Sequence, residues 1–356
     1  MEASQSCVIA GGGPAGMMAG LLLARAGLRV TVLEKHPDFL RDFRGDTIHP
    51  ATLELMAELD WLEEFLALPH QKAPDLHAEM GGRHVTIADF SHLPLSCRYI
   101  AFMPQWDFLN FLAGKGEELP NFQLLMGHRI VELLREGDRI CGVHWENDAG
   151  DEGDIHVPLV IGADGRQSVV REQAGLEVVD FGSAVDVIWF RLSRSPDDPA
   201  PAMSHAGPQQ GLVLIDRGDF WQCGYVIRKG GFDDLKALGL TAFRAALAAL
   251  APLPSKRFEE IADWDQVYLL SIRMDRLKRW WARCALYRRC GPCHVPGGRV
   301  RGEPSHPGRG GDCEYPFRTI AGRGAFRDRS GPGAGSPNVS DPRHAAAATD
   351  DASEAQ

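Results

Sequence analysis

The sequence predicts an α/β fold: a Rossmann-like domain with an inserted sheet-plus-helix domain, followed by an irregular tail. Three observations carry that prediction. An apolar strand at residues 7–10 runs directly into a glycine turn and a helix, and a second strand–turn–helix stands at 159–171. Segments of strand type, alternating or short and apolar, fill the middle of the chain, with one amphipathic helix among them. From Arg283 onward the composition changes so far that no core can be built from it.

The first element, Cys7-Val-Ile-Ala10, leads into Gly11-Gly12-Gly13-Pro14-Ala15-Gly16. A small-residue helix over 17–26 follows, Gly27 ends it, and 28–33 alternates as a second strand with Glu34 at its C-terminal end. A Gly-x-Gly-x-x-Gly motif acquires meaning only in this strand–turn–helix–strand context. Gly11 permits the tight turn, Gly13 lets a pyrophosphate approach the backbone, and Gly16 lets helix and strand pack closely. The free N–H groups and positive dipole end of the helix favour phosphate. Glu34 would accept hydrogen bonds from a ribose hydroxyl, and its charge would repel a 2′-phosphate. The nucleotide this end would take is therefore the ADP-ribose moiety of FAD or NAD.

Two later segments favour FAD. Asp42-Phe-Arg44-Gly-Asp-Thr47 precedes a helix over 51–59, and Leu159-Val-Ile-Gly-Ala-Asp164-Gly165-Arg-Gln-Ser168-Val-Val-Arg171 reads as strand, turn and helix start. Between and beyond them, 83–90, 187–192, 211–215, 220–227 and 266–273 read as strands and 235–250 as one amphipathic helix. Trp189, His205, Trp221 and Tyr225 fit either a cavity wall on this sheet or its plain core. Neither a metal-ligand cluster nor a nucleophile–base pair stands out here, as expected where a cofactor carries the chemistry.

Gly11–Gly16 with Glu34, the Arg44 loop, and Asp164-Gly165 with Ser168 and Arg171 resemble, in this order, the fingerprints of group A (aromatic-hydroxylase-like) flavoprotein monooxygenases. The resemblance covers about residues 5–282. It implies an FAD-binding domain at 1–75 and 98–178 and a substrate domain at 76–97 and 179–275. It also implies FAD contacts from the glycine turn (Gly11, Gly13, Pro14, Ala15, Gly16) and from Glu34 and Lys35. Arg44 would lie on the pyrophosphate side, Gln105 of Met103-Pro104-Gln105 against the flavin nucleotide, and Asp164 and Gly165 near the flavin pyrophosphate. The implied reaction uses NADH or NADPH and O2 to hydroxylate an aromatic or polycyclic small molecule through a flavin C4a-hydroperoxide. Only one Gly-x-Gly-x-x-Gly occurs, so NAD(P)H would dock transiently rather than in a second Rossmann domain. The alternatives on the same scaffold are an FAD-dependent dehydrogenase or reductase, or a catalytically inactive remnant.

Bulk properties narrow the setting. A net charge of −10 argues against nucleic acid as a partner. No apolar run reaches membrane-spanning length, and residues 1–7 lack the pattern of a signal peptide. The scattered Cys7, Cys97, Cys141 and Cys223 suit a reducing cytoplasm.

Residues 283–356 hold eleven arginines, no lysine, twelve glycines, eight prolines and four of the eight cysteines. GC-rich DNA read in the wrong frame gives this composition. Taking the last two bases of each codon from Cys284 with the first base of the next tests the idea. Cys284 then allows Val, Arg288 Gly, Arg289 Asp, Cys290 and Gly291 Ala-Ala, and Pro292 His; His294 allows only Met or Thr. One permitted reading is VLYIGDAAHAMSPVGG, which resembles the third fingerprint of the same flavoprotein family. A +1 frame slip around 282–284 is expected, and the chain as written would then bind FAD weakly or not at all, lacking the aspartate that the resemblance places at the ribityl chain. The same reading makes Cys290-Gly-Pro-Cys293 a chance motif: Val295-Pro-Gly-Gly cannot continue the helix a redox thiol needs.

Overall fold

The computed structural model describes residues 6–40, 47–80, 83–198, 204–207, 210–282 and 293–294, all within one unit, Met1–Gly302. Arg44 and nearly all of the segment after Ala282 lie outside the described residues, and so does the side chain of His205.

The chain starts with β1 (Cys7–Ala10), α1 (Pro14–Arg25) and β2 (Val30–Glu34). It continues through α2 (Gln105–Glu117), β3 (Phe122–Met126) and β4 (Val160–Gly162). The four strands are parallel in the order β4–β1–β2–β3. β1 and β4 are apolar at every position and wholly buried, as strands covered on both faces must be. Helices α1 and α2 pack together over this sheet. Phe122 wedges beneath both, and a Cβ on Gly20 or Gly116 would stand 2.9 Å or 2.5 Å from its ring. Glycine at those two places lets the helices settle onto the strands. The order places β1 between β2 and β4, so the crevice beyond the carboxyl ends of β1 and β4 is the topological switch point where such sheets bind ligands. On the far side of β4 the two-residue strands Cys293–His294 and Trp281–Ala282 extend the sheet, a small departure from the irregular tail expected after 283.

A second, seven-stranded sheet takes strands from two separate stretches of sequence. Asp75–Met80 and Arg83–Asp89 form one edge. The body is β5 (Val185–Ser193), β6 (Gln210–Asp216) and β7 (Phe220–Arg228), with the short strand Ser204–Gly207 joining β6 to Asp75–Met80 and β8 (Tyr268–Leu270) at the other edge. Alternation sorts its faces. Ile188, Phe190, Leu212, Trp221, Cys223 and Tyr225 pack under α3 (Leu240–Leu250) around Phe243. On the opposite face Trp189, Val213 and Ile215 pack against Ile100 and Phe102 of a short strand, Ile100–Phe102, that leads into α2.

Two expectations change on this sheet. The single helix over 235–250 is two helices, Phe232–Leu238 and α3, because Gly239 sits at φ +86° and breaks the hydrogen-bond ladder. The strand over 266–273 shortens to β8. Its start is captured by a capping box of Asp263 and Gln266, and at its end the amide of Ile272 turns inward to the Asp186 carboxylate. The four cysteines Cys7, Cys97, Cys141 and Cys223 are buried. No described helix is long and apolar enough to cross a membrane.

Candidate functional site

The glycine turn is built by backbone contact. Gly11 has φ +99°, and a Cβ there would lie 2.4 Å from the Ala163 carbonyl oxygen. Gly16 is tighter still, with its added Cβ 1.9 Å from the Gly11 carbonyl oxygen. These two contacts draw the end of β1, the start of α1 and the end of β4 onto one point. Gly13 is different. It is the N-cap of α1, in extended conformation at φ −71° and ψ 177°, and caps it with no side chain. A Cβ on Gly13 would meet nothing within 4 Å. Its neighbours Pro14 and Ala15 form the exposed first turn, where proline sacrifices no helical hydrogen bond. The turn therefore presents open space in front of uncapped helix amides, the geometry a phosphate needs.

Glu34 closes the other side. Its Oε2 accepts a hydrogen bond of 2.8 Å from the Gly12 amide, and its Oε1 accepts one of 3.1 Å from the His36 amide. The His36 ring stands 3.5 Å from the same Oε1. Gly12, which the motif leaves unspecified, is required here because its Cβ would fall 2.8 Å from that of Glu34. Sequence reasoning missed Gly12; its one signal was its place in the middle of three consecutive glycines. Lys35 is exposed beside this corner.

Asp164 and Gly165 follow β4, and the Asp164 Cα lies 2.9 Å from the position of a Gly11 Cβ. The two turns thus face each other across the switch point. The Asp164 carboxylate is spent largely on its own turn. It accepts from the Ser168 hydroxyl at 2.5 Å and from the Val170 amide at 3.2 Å. Ser168, buried, in turn accepts from the Arg171 amide at 2.9 Å and caps the helix Val169–Gln173. Gly165, at φ +84°, makes the reversal.

Gln105 is the first residue of α2 and partly buried. The strand before it pairs with Thr47 and Ile48, so the described chain flanking residues 41–46 is anchored to the chain flanking Gln105 through Thr47 and Phe102. Arg44 itself lies outside the described residues. Of the aromatic residues considered for a cavity, Trp221 and Tyr225 are 1% and 2% exposed under α3 and are core. Trp189 lies on the other face, over Gly224, and faces the strand that carries Phe102. His205 pairs with Leu212 across the ladder.

The residues present fit the adenosine diphosphate end of FAD: an open, side-chain-free helix terminus beside a carboxylate at the end of the second strand. Known proteins agree. A family model described as FAD binding domain matches residues 4–216. The chain is 28% identical over 280 residues to 6-methylpretetramide 4-monooxygenase of Streptomyces rimosus, covering 77% of this chain and 65% of that one. It is 26% identical over 179 residues to para-nitrophenol 4-monooxygenase of a Pseudomonas strain, covering 49% of this chain and 44% of that one. The chain thus spans about two thirds or less of these relatives. Its fold matches the crystal structure of PqsL, a probable FAD-dependent monooxygenase from Pseudomonas aeruginosa, with a TM-score of 0.65 at 18% identity over 83% of this chain and 78% of that one. With its glycine turn, its Glu34 corner and more than half of its length matched, the chain belongs to the FAD binding domain family of flavoproteins.

Proposed function

We propose that the chain is the flavin-binding part of a monooxygenase that uses NADH or NADPH and O2 to hydroxylate an aromatic or polycyclic small molecule. The observation that carries this reading is the junction of the glycine turn and the Asp164 turn at the carboxyl ends of β1 and β4. The two relatives named above are monooxygenases of a polycyclic and a small aromatic compound by their names, which supports the substrate class.

In this reading Gly13, Pro14 and Ala15 leave room for the pyrophosphate, and the first amides of α1 hold it. Glu34 takes the ribose hydroxyls while Gly12 and His36 keep its carboxylate in place. Gln105 and the Arg44 loop border the flavin side, and Asp164-Gly165 closes the turn opposite Gly11. Trp189 and its neighbours form an apolar wall toward the substrate and exclude water there. When bound, the flavin supplies the redox chemistry, taking electrons from NAD(P)H and activating O2. The protein is read as acting in the cytoplasm, with residues 1–75 and 98–178 holding FAD and 76–97 with 179–275 facing substrate.

The same reading includes the tail. The 280-residue match to the first relative is close to the length of chain that precedes Arg283. We infer that the codons after Ala282 carry a frame slip and that the other frame encodes the remaining flavin-facing segment. The test is to sequence the gene across the codons for Lys278 to Arg289 and to compare the two proteins. The frame-restored protein is expected to retain FAD and to oxidise NAD(P)H faster with an aromatic substrate, yielding a product with one added oxygen. Flavin reduction by substrate alone, without NAD(P)H, would overturn the monooxygenase reading in favour of a dehydrogenase. A correct reading frame together with a flavin-free protein would favour an inactive remnant.

A further inference from the structure

The Asp164 turn is held from outside as well as from within. Arg166, two residues beyond Asp164, donates from Nη1 to the Ser271 carbonyl at 2.7 Å. Its own carbonyl accepts from Arg171 Nη2 at 2.6 Å. Ser271 and Ile272 belong to the segment that leaves β8 and then pairs, at Asp275–Leu277, with Val178–Asp180. That segment is gripped from its other side by the seven-stranded sheet. Lys229 Nζ, at the end of β7, donates to the Ser271 hydroxyl at 2.9 Å and to the Ile272 carbonyl at 2.5 Å. It also pairs with Asp186 of β5 at 2.7 Å. Asp186 is 2% exposed and accepts from the amides of Ile272 at 2.9 Å and Gly230 at 3.0 Å.

A carboxylate at 2% exposure has lost its water, and burying it is justified only where several donors replace that water. Here the donors come from two pieces of chain: Lys229 and Gly230 just beyond β7, and Ile272 in the returning segment. The result is a continuous line of hydrogen bonds from Asp186 through Lys229, Ser271 and Ile272 to Arg166, at the turn that carries Asp164.

We infer that Asp186 and Lys229 are positioning residues: acting through Ser271, Ile272 and Arg166, they set the Asp164–Ser168 turn against the glycine turn. The consequence for FAD rests on the proposed reading of Asp164 as a wall of the flavin site. The positioning itself does not.

Amide hydrogen exchange on the full chain tests it, with Lys229→Met, Arg166→Gln, the double variant and Lys229→Arg. Lys229→Met leaves Asp186 its two backbone donors, and Arg166 is exposed, so Arg166→Gln folds whatever the other does. The expected result is about tenfold faster exchange of the Val170 and Arg171 amides, which the Asp164 and Ser168 side chains hold, in either single variant. The double variant should go no further than the larger single effect, because both act on one line of contacts. Lys229→Arg should restore most of the protection. Amides of β1, such as Val8 bonded to Leu159, should exchange at the parental rate. Faster exchange confined to Gly230 and Ile272, with Val170 and Arg171 unchanged, would overturn the proposal, as would additive effects. An FAD titration of the frame-restored protein and the same variants separates the two claims. Faster exchange at Val170 and Arg171 with unaltered FAD affinity supports the positioning and counts against the flavin role of Asp164.

Discussion

The glycine turn and the Asp186 corner both bring distant pieces of chain to one point, by opposite means. At the glycine turn the fit is made by the absence of side chains: Gly11, Gly12 and Gly16 each stand where a Cβ would strike its neighbours. At the Asp186 corner it is made by charged side chains that replace water with one another and with backbone amides. The first kind of junction cannot be altered by solution conditions and fails only by substitution. The second is conditional, because protonation or loss of one partner leaves the rest unsatisfied. The comparison teaches where rigidity and where adjustability reside in this molecule.

The largest effect expected is at the first junction. Gly16→Ala places a methyl carbon 1.9 Å from the Gly11 carbonyl oxygen, and the atom in the way is backbone. Alanine would gain about 0.5–1 kcal/mol of helix propensity, but relieving such a contact moves α1 off the strands. The net loss is expected to be at least about 3 kcal/mol, seen as a Tm lower by roughly 6 °C or more. A thermal melt that matched the parent would show that the turn adjusts freely and would remove the contrast between the two junctions.

How much of this was legible in the sequence follows the same division. The glycine turn, Glu34 and the Asp164-Gly165 turn were readable because backbone constraints demand a particular residue within a short stretch of chain. Gly12 was not, since its need for glycine comes from Glu34 across the neighbouring strand. Alternation along β5 and β7 announced two faces but could not say which one α3 covers, so Trp189 could not be told from Trp221 and Tyr225. Gly239 split a helix whose apolar spacing looked continuous, because a residue at φ +86° ends a helix whatever its neighbours favour. The Asp186 corner left no local signature at all. Its members come from β5, the end of β7, residues 271–272 and the Asp164 turn, and only the folded chain places them together.

At that corner a smaller effect is expected, and it depends on pH. Burial alone would raise the Asp186 carboxyl, but hydrogen bonds from the Gly230 amide, Lys229 and the Ile272 amide override it and hold the group down to about 2. A carboxyl depressed on folding adds stability that is fully present above its ordinary value of 3.8 and lost as pH falls toward 2. The contribution is at most about 2 kcal/mol. Urea unfolding of the parent and of Asp186→Asn at pH 5 and at successive steps down to pH 2 checks the sign. The gap between the two proteins should narrow by that amount on acidification. A gap that stayed constant would mean the Asp186 charge contributes nothing to the junction.

The smallest effect on stability, and the sharpest on function, belongs to Gly13. It lies three residues from Gly16 in the same motif, yet its Cβ position is empty to 4 Å and its backbone angles suit alanine. Gly13→Ala should therefore melt within about 1 kcal/mol of the parent, the cost of a poorer helix cap. The added methyl, however, occupies the space through which a phosphate must approach the first amides of α1. In the frame-restored protein, FAD affinity, followed by quenching of flavin fluorescence, is expected to fall at least about tenfold, a change of about 1.4 kcal/mol in binding. The pair then divides one motif by purpose: Gly16 is glycine for the fold and Gly13 for the ligand. A Gly13→Ala protein that bound FAD as the parent does would place the pyrophosphate elsewhere along the crevice and leave the open N-terminus of α1 without a cofactor role.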